Sequence, residues 1–385
     1  MPRSFAPGRV NLIGEHIDYH GLPVLPMALS HGVRLTFVAR TDAVVVVRNA
    51  DPGYGERRFP LAPLPAPTPP PLPAPTPGPS GDWGNYVWAA AVTVASRFGA
   101  RVGIEGTVSS DLPAGGGLSS SSALVVAVAQ ALLYASNLRP DRLELAEALA
   151  EGERLVGTAG GGMDQAASLL GREGYALRVS FDPLTVETVR VLDGWAVVVA
   201  DSGVRARKSA ELRDAYNRRR TESARALAGI AGACGLPGAS PARLVARVGV
   251  PELLERCAHR PGQGARWAEH ALAEAGRVEA AVAALRAGRL QSFGQLLDAS
   301  HASLRDVYRV SHPRLDALVA AARGAGAAGA RLTGAGFGGC MLAVCAVERA
   351  AAVAEALAEA RAALGAPRGR APFRARPGGG AHVEA

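Results

Sequence analysis

Short apolar runs punctuated by turn residues open the chain. Residues 24–28 (VLPMA) and the four valines at 44–47 are bounded by Gly, Pro and Asp, the pattern of short buried strands. From Asp82 the pattern turns helical through WGNYVWAA, and residues 102–109 read as another strand. Long helical runs follow at 124–135 and 142–156. WAVVVAD at 195–201 is a buried strand. Residues 209–228 are helical, with Arg218, Arg219 and Arg220 expected on a solvated face. The second half alternates alanine-rich helices with strands at 330–332 and 341–344. Mixed strands and helices in two blocks predict an α+β fold, divided into residues 1–195 and 196–385. Between Phe59 and Ser80 lies a proline tract, an insertion of about residues 60–80. Proline continues neither ladder nor helix, so this is a surface loop of polyproline character.

Composition then excludes several classes. Of 385 residues, 42 are Lys or Arg and 34 Asp or Glu, a formal charge of +8. Lys208 is the single lysine, and no Gly-Lys-Ser/Thr string occurs. A Walker A phosphate loop is therefore absent, and Schiff-base chemistry would have to use Lys208. The arginines are spread along the chain and aromatics make up 5%, which argues against nucleic acid as partner. The longest apolar stretch, 123–133, is interrupted by Gln130 and too short for a bilayer span. Cys234, Cys257, Cys340 and Cys345 have neither metal-pair spacing nor a dense disulfide pattern, and no apolar signal core opens the chain. A reduced cytosolic protein without a membrane partner is expected.

Four clusters carry candidate chemistry. In the loop Gly115-Gly116-Gly117-Leu118-Ser119-Ser120-Ser121-Ser122, backbone N–H groups can approach an anion and the next helix offers its positive end. The same loop can also be a purely structural helix start. Thr333 to Cys340 (TGAGFGGC) holds four glycines, suited to close approach of backbone to a ligand or to another loop. Residues 8–19 (GRVNLIGEHIDY) crowd an arginine, two carboxylates and a histidine, donors and acceptors fit for a polyhydroxylated ligand or for a salt-bridged turn. Gly160-Gly161-Gly162-Met163-Asp164 delivers an aspartate to an irregular turn.

Together these clusters resemble one family. Residues 6–19 look like the galactokinase signature, 112–123 the second motif of the GHMP small-molecule kinases, and 333–340 their third. Residues 300–311 and the tail 372–384 are also similar, so the resemblance spans essentially the whole chain. It implies a two-lobed GHMP kinase fold with the active site in the cleft between lobes. It also implies an ATP-dependent sugar 1-kinase acting on galactose, using Mg2+, cytoplasmic, and a monomer or weak dimer. Asp164 would be the catalytic base for the sugar's C1 hydroxyl, and Arg9 beside it would stabilise charge on the transferring phosphoryl group. Gly115, Gly116, Gly117, Leu118, Ser119, Ser120 and Ser121 would cradle ATP, with Trp83 and Tyr86 near adenine. Ser121 and Glu153 would hold the metal. Glu15, His16, Asp18, Gly161 and Tyr216 would contact the sugar. Ile17 stands where bacterial members mostly carry threonine, and residues 157–165 look more like the fungal galactokinases and N-acetylgalactosamine kinases. Another sugar 1-kinase is therefore the alternative. A non-catalytic sugar sensor is the less favoured one, since such relatives have a shortened second motif and this one is full length. Against that family the chain begins about twenty residues late, so the N-terminal helical lead-in is expected to be either missing or lost to a mis-assigned start.

Overall fold

The computed structural model describes residues 1–63, 76–79, 81–113, 116–157, 160–204, 210–366 and 370–385, without the side chains of 210–213. Most of the proline tract and Lys208 lie outside them.

The first sheet combines β1 (Arg3–Asn11), β2 (Pro26–Ala39), β3 (Val44–Asn49), β4 (Arg57–Pro60), β5 (Ile104–Ser110) and, from the far end of the chain, β12 (His382–Glu384). Its order is β12-β1-β2-β5-β3-β4. Neighbours run antiparallel except β3 and β5. The strand expected at 24–28 is thus the start of a much longer one. Ser30, His31 and Arg34 hid its continuation, because antiparallel strands can alternate polar and buried faces. Against this sheet pack α1 (Gly84–Phe98), α2 (Ser120–Ala135), α3 (Arg142–Arg154) and α4 (Met163–Leu170). Helix α2 is apolar on nearly every face because it lies in the middle of that layer, with most of its residues buried. A hairpin, β6 (Tyr175–Ser180) and β7 (Thr185–Arg190), leads onward.

The second sheet has the order β11-β8-β10-β9, from β8 (Trp195–Asp201), β9 (Gly329–Leu332), β10 (Cys340–Ala346) and β11 (Phe373–Ala375). Along β8, Trp195, Val197 and Val199 join the main core, whereas Ala196, Val198 and Ala200 join a second one. Burial on both faces explains its unbroken apolar sequence. Helices α8 (Gln263–Arg286) and α9 (Leu290–Ala302) cover one side, and α10 (Pro313–Gly324) and α11 (Ala350–Ala363) the other. Helix α5 (Ala210–Ala233) packs on α8 with α6 (Pro241–Val248) and α7 (Val250–Ala258) around a smaller core. The tail forms two strands, β11 in the second sheet and β12 in the first, so the last residues tie both sheets together. The four cysteines are free. Among the described residues no helix is long and apolar enough to cross a membrane.

Candidate active site

Strand β1 slips register between Pro7 and Arg9. A Cβ on Gly8 would lie 2.6 Å from the Leu118 carbonyl, so only glycine lets the strand press against the glycine-serine loop. The bulge re-aims Arg9, whose N–H donates to Leu118 O at 3.2 Å. The guanidinium then joins two motifs: Nε and Nη2 reach Asp164 Oδ1 at 2.7 and 2.6 Å, and Nη1 donates to Gly117 O at 2.7 Å. Asp164 sits in the first turn of α4, entered through Gly162 at φ 110°, with its carboxylate near the helix's positive end.

The loop leads into α2 through Ser119 at φ 58°, and no side chain caps the helix. The Ser119 hydroxyl is buried and has no partner among the described residues. Orphan N–H groups and a spare hydroxyl suit an anion at this helix start. Gly115 lies outside the described residues. Glu153 accepts from Ser122 Oγ at 2.7 Å and from Gln165 Nε2 at 2.5 Å, and Ser122 Oγ also stands 3.5 Å from Asp164 Oδ2. Ser122 thus gives Glu153 a hydroxyl that sequence reasoning passed over, and half-buried Ser121 lies one position earlier in the turn. Among the described residues no group of three or more His, Cys, Asp or Glu could hold a metal. The hard oxygens of Glu153 and the serines still fit Mg2+, which binds through one or two carboxylates plus substrate phosphates.

The glycines of residues 334–339 turn toward protein. A Cβ on Gly334, at φ 83°, would lie 2.7 Å from Gly117 O. The turn between β9 and β10 is thus packed against the glycine-serine loop, which decides between the two uses left open for it.

The sugar cluster is partly rearranged from expectation. Glu15 is 2% exposed, and protein donors occupy both of its oxygens. Gly334 N at 2.9 Å and Thr333 Oγ1 at 3.1 Å reach Oε1; Asn11 Nδ2 at 2.9 Å and the Arg331 guanidinium reach Oε2. So held, Glu15 is a strut joining the first motif to the third. Burial raises its carboxyl above the usual range, opposed chiefly by Arg331. Burial, with His270 nearby, lowers His16 to about 3, so its imidazole is neutral. Nε2–H donates to Ala335 O and Nδ1 accepts from the Tyr19 hydroxyl, both at 3.1 Å; Tyr19 in turn accepts from Tyr308 at 2.6 Å. Both nitrogens of His16 therefore also face protein. The Gly161 N–H goes to Asp18 Oδ2 at 3.0 Å. That leaves Asp18, half-buried and raised by burial and then by the charge of Asp164, beside Tyr216, raised by burial and then by Asp18. The Tyr216 ring lies 5.5 Å from both His16 and Tyr19.

Other expectations changed too. Ile17 is fully buried in the main core, so its departure from threonine says nothing about the sugar. Tyr86 is 7% exposed within the same core, whereas Trp83 is half-buried at the start of α1 with Arg57 over its ring and its indole N–H unpartnered among the described residues. Arg219 is not on a solvated face: it donates to Tyr308 O and Arg309 O.

An uncapped helix behind a glycine-serine loop, joined through one arginine to an aspartate, on this α+β frame, defines a GHMP kinase. Residues 85–172 match the GHMP kinases N terminal domain and 281–363 the GHMP kinases C terminal domain. Mevalonate kinase (TM-score 0.65, 17% identity, 97% of this chain and 98% of that one) shares the fold. Residues 3–38 match the galactokinase galactose-binding signature. The galactokinase of Roseiflexus sp. (strain RS-1) is 37% identical over 89% of this chain and 83% of its own length; that of Chloroflexus aurantiacus is 36% identical over 92% and 86%. The structure of Lactococcus lactis galactokinase complexed with galactose superposes with a TM-score of 0.81 at 30% identity, covering 99% of this chain and 94% of that one. The chain belongs to the galactokinase family.

Proposed function

We propose that this protein transfers the γ-phosphoryl group of ATP to the anomeric hydroxyl of galactose, forming galactose 1-phosphate and ADP. The observation that carries this reading is the single guanidinium of Arg9, bonded at once to Asp164 and to the Gly117 carbonyl of the phosphate loop. An acceptor hydroxyl held beside Asp164 would lie next to the group that binds the donor phosphates.

In this reading Asp164 accepts the C1 hydroxyl proton as the oxygen attacks the γ-phosphorus and the bond to the β-phosphate oxygen breaks. Arg9 holds the Asp164 carboxylate in place and stabilises charge building on the transferring group. The N-terminus of α2 and its serines receive the phosphates. Glu153, with Ser122 or Ser121, would hold Mg2+, which supplies charge neutralisation between the phosphates. Asp18 and Tyr216 present an acceptor and a hydroxyl to the sugar, while Glu15 and His16 set the pocket's shape. Trp83 offers a ring and a spare N–H for the base. Positioning and electrostatics thus do most of the work, consistent with a site that has no described lysine.

The test is ATP turnover on galactose, N-acetylgalactosamine, arabinose and glucose. Galactose is expected to give the highest kcat/KM. Turnover on N-acetylgalactosamine alone would move the protein to a different sugar 1-kinase, and ligand binding without turnover would make it a sensor.

A further inference from the structure

Away from the phosphate loop, an open cavity of about 340 Å³ lies between α5, the first turn of α8 and the turn that follows α9. Arg218, Arg219, Glu222, Gln263, Trp267 and Arg309 line it. Three guanidinium groups thus face one carboxylate. Arg219 donates to carbonyls, those of Tyr308 at 3.1 Å, Ala215 at 3.0 Å and Arg309 at 3.0 Å, so none of these bonds neutralises its charge. Burial lowers its pKa, only partly opposed by Glu222 nearby. Helix α8, 24 residues long, opens on this cavity at Gln263 with no side-chain cap. Trp267 is 6% exposed, and its buried Nε1–H, like Gln263 Nε2, has no acceptor among the described residues. Positive charge, a helix start and two residues that carry buried unpaired donors line one space.

We infer that this cavity binds a small phosphomonoester and that its occupancy is felt at the sugar pocket. Guanidinium forks match the phosphate oxygens, and the helix start favours the same dianion. The indole and amide donors then have oxygens of the ester's organic part to meet, which inorganic phosphate lacks. The link to the sugar pocket is direct. Arg219 stacks 5.2 Å over Trp267 and holds the backbone of Tyr308. The Tyr308 hydroxyl holds Tyr19, and Tyr19 holds His16. The coupling rests on the sugar-kinase reading; the binding does not.

Calorimetry with glycerol 3-phosphate, inorganic phosphate and glycerol tests the site. Glycerol 3-phosphate is expected to bind with a Kd below about 1 mM, inorganic phosphate more weakly and glycerol not at all. The double variant Arg218→Gln/Arg309→Gln should weaken binding by about tenfold or more and keep its basal turnover. Trp267→Phe, which retains an aromatic ring and removes the N–H, should weaken it as well. In the wild type the ester should shift the galactose KM, and in the double variant it should not. No binding at millimolar concentration, or equal affinity in both variants, overturns the site. Equal affinity for inorganic phosphate overturns the ester assignment, and binding without a KM shift overturns the coupling. If no sugar is turned over, calorimetry still decides the binding.

Discussion

Gly160 and Gly161 are adjacent, yet alanine should act on them very differently. A Cβ at Gly161 would stand 2.5 Å from the Asp18 carbonyl oxygen and closer still to the Asp18 carbonyl carbon and the Tyr19 nitrogen. Side-chain carbons do not approach backbone closer than 3.0 Å, so the two loops must part by at least about half an ångström. The Gly161 N–H bond to Asp18 runs across the same contact, and Asp164 lies three residues on. A displacement approaching 1 Å at a reacting group costs about 10²-fold, so Gly161→Ala should lower kcat/KM by roughly that factor. A Cβ at Gly160 meets nothing within 4 Å, and its backbone is not in the left-handed region. Gly160→Ala should keep wild-type kinetics, with stability unchanged or raised by up to about 1 kcal/mol through the unfolded chain. Steady-state kinetics on galactose, with thermal melts to confirm folding, compare the pair. Equal kinetic effects at the two positions would refute the argument that the contact with Asp18 sets the geometry.

Asp164→Asn should lower kcat by about 10²–10⁴-fold while leaving ATP binding intact, and near-normal turnover would remove the base from Asp164. Arg331 is fully buried against Glu15 and Leu12 O, and after Arg277 it is the next charge that holds buried Glu274 down, against burial, at about 2. Arg331→Met should therefore destabilise by about 3–5 kcal/mol in urea titrations, partly restored by adding Glu15→Gln; a loss under about 1 kcal/mol would contradict the strut. Acidification should weaken the fold. His16 and His20 are lowered to about 3, and His270 and His301 to about 4, so the unfolded chain binds four protons near pH 5 that the native state refuses. Glu15, Asp18 and Asp298, raised by burial, offset at most three, leaving about one net proton. Stability is thus present above pH 6.5 and falls by about 1.4 kcal/mol or more per unit near pH 5; a flat or rising urea midpoint between pH 6.5 and 5 would contradict the sign.

The local patterns were legible where one residue type had one reason. WAVVVAD is apolar throughout because its sheet is covered on both faces, and the glycine-serine loop marked a helix start because glycines and serines suit the chain's turn into a helix. The adjacency of Arg9 and Asp164, 155 residues apart, was reachable through family resemblance and not through spacing. Other features left no local signal. Arg331 and Glu15 are separated by more than three hundred residues, and a lone arginine in a strand looks like any other until its partner is known. Arg219 read as solvated because its neighbours are charged, yet carbonyls at Tyr308 and Arg309 draw it inward.

By itself the sequence determined which residue types are present: one arginine and one aspartate in glycine-bounded motifs, a glycine-serine loop without lysine, and the class of kinase they belong to. The tertiary structure decided which partners each polar group meets. Glu15, His16 and Gly161 all meet protein partners, that of Gly161 being Asp18 itself. Motifs record residue types, but a buried carboxylate or imidazole is committed by whichever donors and acceptors the fold brings within hydrogen-bond reach, and those come from distant parts of the chain.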